Sequence, residues 1–205
     1  MKPIIIYSMA RTRSTAALQA TRRSLQLNEP ILPEGNRYHD WKTLVHHMND
    51  SDTATKFFGL HLQYSSEARE WFTEVVDSST HEIFVLIRNP HEVIWSLILA
   101  TQFGFAKHEE RPLREIEIPF EKIEWIKDTV GYFLKYLPKN SKVVTFETLP
   151  EEFFDYSKVK HVDQHSIQTK KQYVKNLEFV EQEIQYMLNV YENEWKLKLG
   201  DSIFK

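Results

Sequence analysis

The run Ile4-Ile5-Ile6-Tyr7 is apolar at every position and stops just short of Arg11-Thr12-Arg13-Ser14-Thr15. A strand with no alternating polar face has to be covered on both sides, so this one belongs in the middle of a sheet with helices above and below. The segment that follows then sits at the sheet's carboxyl edge. It brings two guanidinium groups, three hydroxyls and a series of backbone N–H groups to the start of a helix rich in small residues (Ala16, Ala17, Ala20). That combination favours a bound anion. The plain alternative is that Ser14 or Thr15 caps the helix while the arginines are solvated, and on this stretch alone the two readings stand level.

At 205 residues the chain is read as one domain, 1–205, long enough to bury a core under three layers. With 26 basic against 29 acidic residues and a net charge of −3, no global field points to nucleic acid or an anionic membrane, so any anion site is local. The apolar start lacks the length and cleavage pattern of a signal peptide. No run reaches the roughly 20 apolar residues that span a bilayer, and the expected location is cytoplasmic. There is no cysteine, which excludes disulfides, zinc-thiolate sites and thiol nucleophiles, and with them the cysteine phosphatases whose loops look like this one.

Along the chain, the first helix is expected to run to about Leu27, and Asn28–Asn36, with two prolines and a glycine, to be a loop. Trp41–Met48 has a short helical pattern. A second strand is expected over Lys56–Leu62, with His61 at its carboxyl end, followed by a helix over Ser66–Val76. The third strand, His81–Ile87, is another unbroken apolar run and leads into Arg88-Asn89-Pro90. Asn89 is a favoured N-cap and Pro90 suits a first turn, so a helix should follow to about Gln102, burying Val93, Ile94, Leu97, Ile98 and Thr101. Phe103–Pro119 has no clean period and reads as an irregular excursion, a lid or acceptor-binding segment. Phe120–Leu137 is helical, Lys142–Phe146 is a fourth strand running into a short helix at Glu147-Thr148-Leu149, and a long helix from Leu177 carries core residues along one face. The pattern implies an α/β fold: a three-layer, mostly parallel open sheet of about four to five strands with helices on both faces.

A metal-dependent NTPase or kinase loop would need G-x-x-x-x-G-K-[ST] and an acidic metal ligand. This loop has neither glycine nor lysine, and the third strand ends at Arg88, where such folds commonly place an acid. Two motifs instead resemble those of the sulfotransferases that use 3′-phosphoadenosine-5′-phosphosulfate (PAPS), whose fold is P-loop NTPase-like. Ala10-Arg11-Thr12-Arg13-Ser14-Thr15 is similar to the 5′-phosphosulfate loop P-[RK]-[ST]-G-[ST]-T, departing from it at Ala10 and Arg13. Arg88-Asn89-Pro90-His91-Glu92-Val93-Ile94-Trp95-Ser96 matches the 3′-phosphate motif R-N-P-x-[DE]-V-x-x-S at every fixed position. Phe146-Glu147-Thr148-Leu149 loosely resembles a [YF]-E-x-L that ends a later strand in that family.

The resemblance implies a metal-independent transfer of a sulfuryl group to a hydroxyl or amine, leaving 3′-phosphoadenosine 5′-phosphate (PAP). Arg11 would hold the phosphosulfate and stabilise the departing oxygen. The N–H groups of Thr12, Arg13, Ser14 and Thr15 and the hydroxyls of Ser14 and Thr15 would hold the 5′-phosphate, and Arg88 and Ser96 the 3′-phosphate. Lys170 or Lys171 is a further candidate for that phosphate, against a solvated charge pair. Two residues compete as base: His61, where many family members carry a histidine, and Glu29, whose Glu-Pro resembles that of some bacterial carbohydrate sulfotransferases. Tyr38, Trp41, Phe57, Trp95, Phe103 and Phe105 are either acceptor-pocket or core residues. The acceptor is a small molecule or carbohydrate of unknown identity. A diverged ATP-dependent small-molecule kinase and a catalytically silent nucleotide-binding protein remain as alternatives.

Overall fold

The computed structural model describes residues 2–27, 49–59, 62, 66–74, 76, 79–104, 112–159 and 167–200. It divides into two compact units, Met1–Ile87 with Tyr132–Lys160, and Arg88–Gly131 with His161–Lys205.

The first unit is built on a five-stranded, all-parallel sheet, and the protein is an α/β protein. The strands are β1 (Ile4–Ser8), β2 (Leu25–Leu27), β3 (Thr53–Phe58), β4 (Glu82–Leu86) and β5 (Lys142–Val144), in the order β2-β3-β1-β4-β5. As the apolar run requires, β1 is central, and all five of its residues are buried. Its register aligns Ile4 with Ala54 and Glu82, and Ser8 with Phe58 and Leu86, so the carboxyl ends of β1, β3 and β4 run level.

Both sheet faces are covered within this unit. Ile4, Ile6, Ala54, Phe84, Leu86 and Val144 pack with Ala17, Leu18 and Ala20 of α1 (Ser14–Ala20) and with Leu149 and Phe154. On the opposite face the Tyr7 ring lies 5.1 Å from Phe72 of α2 (Ser66–Glu74) and 5.3 Å from Phe133, while Phe57 stacks on Phe72 at 5.0 Å. The Tyr7 hydroxyl donates to the Phe133 carbonyl at 3.0 Å, and burial pushes its pKa well above the usual phenol value. Gly59, just past β3, is what permits this approach, because a Cβ there would lie 2.8 Å from the Phe133 Cα and 2.6 Å from the Tyr7 hydroxyl.

The main differences from the sequence reading are at the first helix and the two strands that follow it, with a smaller one at β5, which ends at Val144 rather than Phe146. The first helix stops at Ala20, not Leu27, because residues 153–155 take over the backbone there. Asp155 N–H donates to the Ala20 carbonyl, Arg22 N–H donates to the Phe153 carbonyl, and Thr21 bridges Phe154 antiparallel. Released from the helix, Leu25–Leu27 becomes the edge strand β2 against Thr53–Thr55. β3 starts at Thr53 and ends at Phe58, since Thr53 and Thr55 are fully buried despite their hydroxyls.

The second unit is helical: α3 (Pro90–Phe103), the amino-terminal part of α4 (Phe120–Lys135), α5 (Ile167–Lys171) and α6 (Leu177–Leu199). Asn89 caps α3 as expected, its side chain accepting from the Glu92 N–H, with Pro90 in the first turn. Trp95, Leu99 and Ala100 are buried along with Val93, Ile94, Leu97 and Ile98, so α3 is enclosed on more sides than one stripe implies. The described part of the irregular segment is pinned: Ile116 pairs with Val174, and Asn176 both donates to and accepts from the backbone of Ile118. No helix among the described residues is long and apolar enough to cross a membrane.

Candidate functional site

β1 ends at Ser8, and the chain turns sharply through Met9–Arg13. Arg11 (φ 72°) and Arg13 (φ 64°) both occupy the left-handed region, on either side of Thr12. Left-handed residues alternating with ordinary backbone turn successive N–H groups toward one side, the geometry of an anion-attracting nest. Thr12 is buried and its hydroxyl donates to the Met9 carbonyl at 2.9 Å, so it fastens the turn from inside. Arg13 occupies the N-cap of α1 and makes no side-chain cap, which leaves Ser14 and Thr15 inside the first helical turn. The plain alternative of a Ser14 or Thr15 cap is therefore not how these residues are used.

Arg13 stands where the resembled loop has glycine, and its side chain explains how a non-glycine is kept there. The guanidinium donates to Glu147 at 2.6 Å and lies 5.6 Å from the Phe146 ring centroid. Both partners belong to the Phe146-Glu147-Thr148-Leu149 segment just past β5, which forms a short 3₁₀ turn over Phe146–Thr148. The guanidinium is thus turned toward that segment.

One residue the sequence reading passed over belongs here. Lys56 of β3, only 4% exposed, donates to the Thr15 hydroxyl at 3.0 Å and lies 4.9 Å from the Phe58 ring. With its oxygen accepting from Lys56, Thr15 keeps its own O–H to donate elsewhere. A buried lysine donor on Thr15, next to a loop that carries Arg11 and a turn of N–H groups, is a set of donors whose chemistry fits a phosphate or sulfate group. The available signal was the one charge in the otherwise apolar and hydroxyl sequence TATKFF.

In the second unit, Arg88 donates to Glu92 one helical turn on, at 2.7 Å, with a third of its side chain exposed. A guanidinium has five N–H donors, so one carboxylate leaves it capacity for a phosphate. Ser96 lies in the second turn of α3, half-buried, as the sequence reading placed it. Between them, His91 is held by Glu181 at 3.0 Å, and Glu181 also accepts from Lys171 at 2.8 Å. The Lys171 ammonium lies 4.1 Å from the Trp95 ring centroid. Burial alone would raise the Glu181 pKa, but hydrogen bonds from Lys171 and His91 hold it below the usual carboxylate value. Lys170 is buried and its ammonium lies 6.0 Å from the Phe103 ring. Neither lysine is the solvated charge considered from sequence: they brace α3 against α5 and α6. Phe57, Trp95 and Phe103 are fully or almost fully buried and belong to the core.

Glu29 and His61, the two candidate bases, lie outside the described residues, as do Tyr38, Trp41 and Phe105. What the described residues do establish is order and adjacency. β1, which leads into Arg11–Thr15, and β4, which leads into Arg88, are parallel neighbours in full register. No protein-family model, curated protein or solved structure matches the chain.

Proposed function

We propose that this protein is a sulfotransferase that moves a sulfuryl group from PAPS to a hydroxyl or amine of a small-molecule or carbohydrate acceptor. The observation that carries the reading is the complete R-N-P-x-[DE]-V-x-x-S match at Arg88–Ser96, on the chain leaving a strand that pairs with the one feeding Arg11–Thr15. The cationic nest at Arg11–Arg13 and the buried Lys56 support it, because a phosphosulfate is an anion that such donors suit.

In this reading Arg11 takes the phosphosulfate and the charge that grows on the departing oxygen. The loop N–H groups, Ser14 and Thr15 take the 5′-phosphate, with Lys56 orienting the Thr15 hydroxyl. Arg88 and Ser96 take the 3′-phosphate. The acceptor oxygen or nitrogen bonds to sulfur as the bridging S–O bond breaks, PAP leaves with that electron pair, and His61 or Glu29 receives the acceptor's proton. Positioning and charge stabilisation supply the catalysis.

The test is a thermal melt. PAP without added metal is expected to raise the melting temperature, ADP to raise it less, and Arg88→Ala to abolish the difference between the two. Equal stabilisation by ADP and PAP in the unaltered protein would remove the 3′-phosphate assignment.

A further inference from the structure

The outer face of α6 carries four large hydrophobic side chains that the fold leaves exposed: Phe179 (38%), Tyr186 (56%), Val190 (48%) and Leu197 (85%). They follow at intervals of seven, four and seven residues, the a/d spacing of a coiled-coil seam. At about 100° per residue all four fall within about 20° of one line, over a length of about 27 Å. Phe120 of α4, also exposed, packs its ring 6.5 Å from Phe179 and widens the stripe at one end. The opposite side of α6 is spent on the core through Val180, Ile184, Met187, Leu188, Trp195 and Leu199. The seam side is touched within the unit by Phe120 against Phe179 and by the Lys127 ammonium, 5.7 Å from the Tyr186 ring, and still leaves all four side chains exposed.

The two remaining seam positions, Glu183 and Asn193, indicate the occupant. In a parallel pair each seam residue meets its own copy, which sets Glu183 against Glu183, a like-charge contact. In an antiparallel pair about a two-fold axis level with residue 188, Phe179 meets Leu197, Tyr186 meets Val190, and Glu183 meets Asn193, whose amide can donate to the carboxylate. Every apolar position then faces an apolar one and every polar position a polar one, from a single sequence read in both directions. That self-complementarity is what an isologous interface requires. We infer that α6 is a dimerisation helix, and that its seam is covered by α6 of a second copy of this chain running antiparallel.

The chain has no cysteine, so introduced thiols report cleanly. The full-length protein is expected to sediment as a dimer. Replacing Tyr186→Glu and Leu197→Glu together should raise the dimer dissociation constant at least ~10-fold, as loss of central contacts does. Since both residues are exposed, the monomer's circular dichroism should be retained. Under mild oxidation, a mixture of Phe179→Cys and Leu197→Cys proteins should give a disulfide-linked dimer, while neither variant alone should. A monomer at the highest soluble concentration, a dimer indifferent to the two glutamates, or cross-linking of Phe179→Cys to itself would each overturn the assignment.

Discussion

Arg13 sits in a left-handed conformation that costs an L-residue about 1 kcal/mol over glycine. In return its guanidinium reaches Glu147 and Phe146, an exposed pair and a cation–π contact together of about 1 kcal/mol. The two effects nearly offset. Arg13→Gly should therefore leave the denaturant midpoint almost unchanged, whereas Arg13→Ala, which keeps the strain and loses both contacts, should destabilise by about 1 kcal/mol. Equilibrium unfolding of the two variants checks this: an Arg13→Ala protein as stable as the parent would show that the contacts with Glu147 and Phe146 contribute nothing, and one as stable as Arg13→Gly that the left-handed conformation costs nothing. Arg13 and Glu147 lie 134 positions apart, which is why the loop was readable in the sequence and the role of this side chain was not. Lys56 escaped notice for a related reason. It lies 41 positions from Thr15, and only the pairing of β3 with β1 brings its ammonium to that hydroxyl.

At the level of elements, what was legible depended on local signals. β1 and β4 announce themselves by unbroken apolar runs, and α3 by Asn89-Pro90, where cap and first-turn residue are adjacent. β2 has no such signal. Leu25–Leu27 reads as the tail of a helix until residues 153–155 and Asp52 are in place, with Asp52 accepting from both the side chain and the backbone of Ser24. The close packing of Phe133 on β1 was invisible for the same reason, although the glycine that permits it was in plain view. Gly59→Ala would drive a methyl group into the Phe133 backbone, so it should cost about 1–3 kcal/mol despite the small change. A shift in the denaturation midpoint measures it, and a variant as stable as the parent would mean that the backbone of Phe133 yields without cost.

For the molecule as a whole, the titrating groups set a direction for its acid stability. Asp52 and Asp155 are lowered from the usual 3.8, each chiefly by hydrogen bonds from the side chain and then the backbone of a serine, Ser24 and Ser157 respectively. Glu181 is lowered from 4.5: burial opposes the shift, and the hydrogen bonds from Lys171 and His91 outweigh it. A carboxyl group with a depressed folded pKa binds fewer protons folded than unfolded. Its contribution is complete above those ordinary values and is lost as the pH falls through the lower folded ones. The melting temperature should thus be flat above about pH 5 and fall below it, and Glu181→Gln should lie lower at neutral pH with a shallower acid decline. Parallel curves for the two proteins would remove Glu181 from this account.

The path of the chain has a further consequence for how such a molecule comes to be made. It leaves the sheet unit at Ile87, enters the helical unit, returns at Tyr132 and departs again after Lys160. Neither unit is a contiguous stretch. When a ribosome has released Met1–Ile87, Tyr7 still lacks the Phe133 carbonyl that will take its hydroxyl, and β4 lacks β5. Each half-built unit must therefore wait for sequence that is synthesised only after part of the other. No single cut in the chain separates them into two autonomous pieces, and a stalled or truncated product would present the open flank of a parallel sheet to its neighbours.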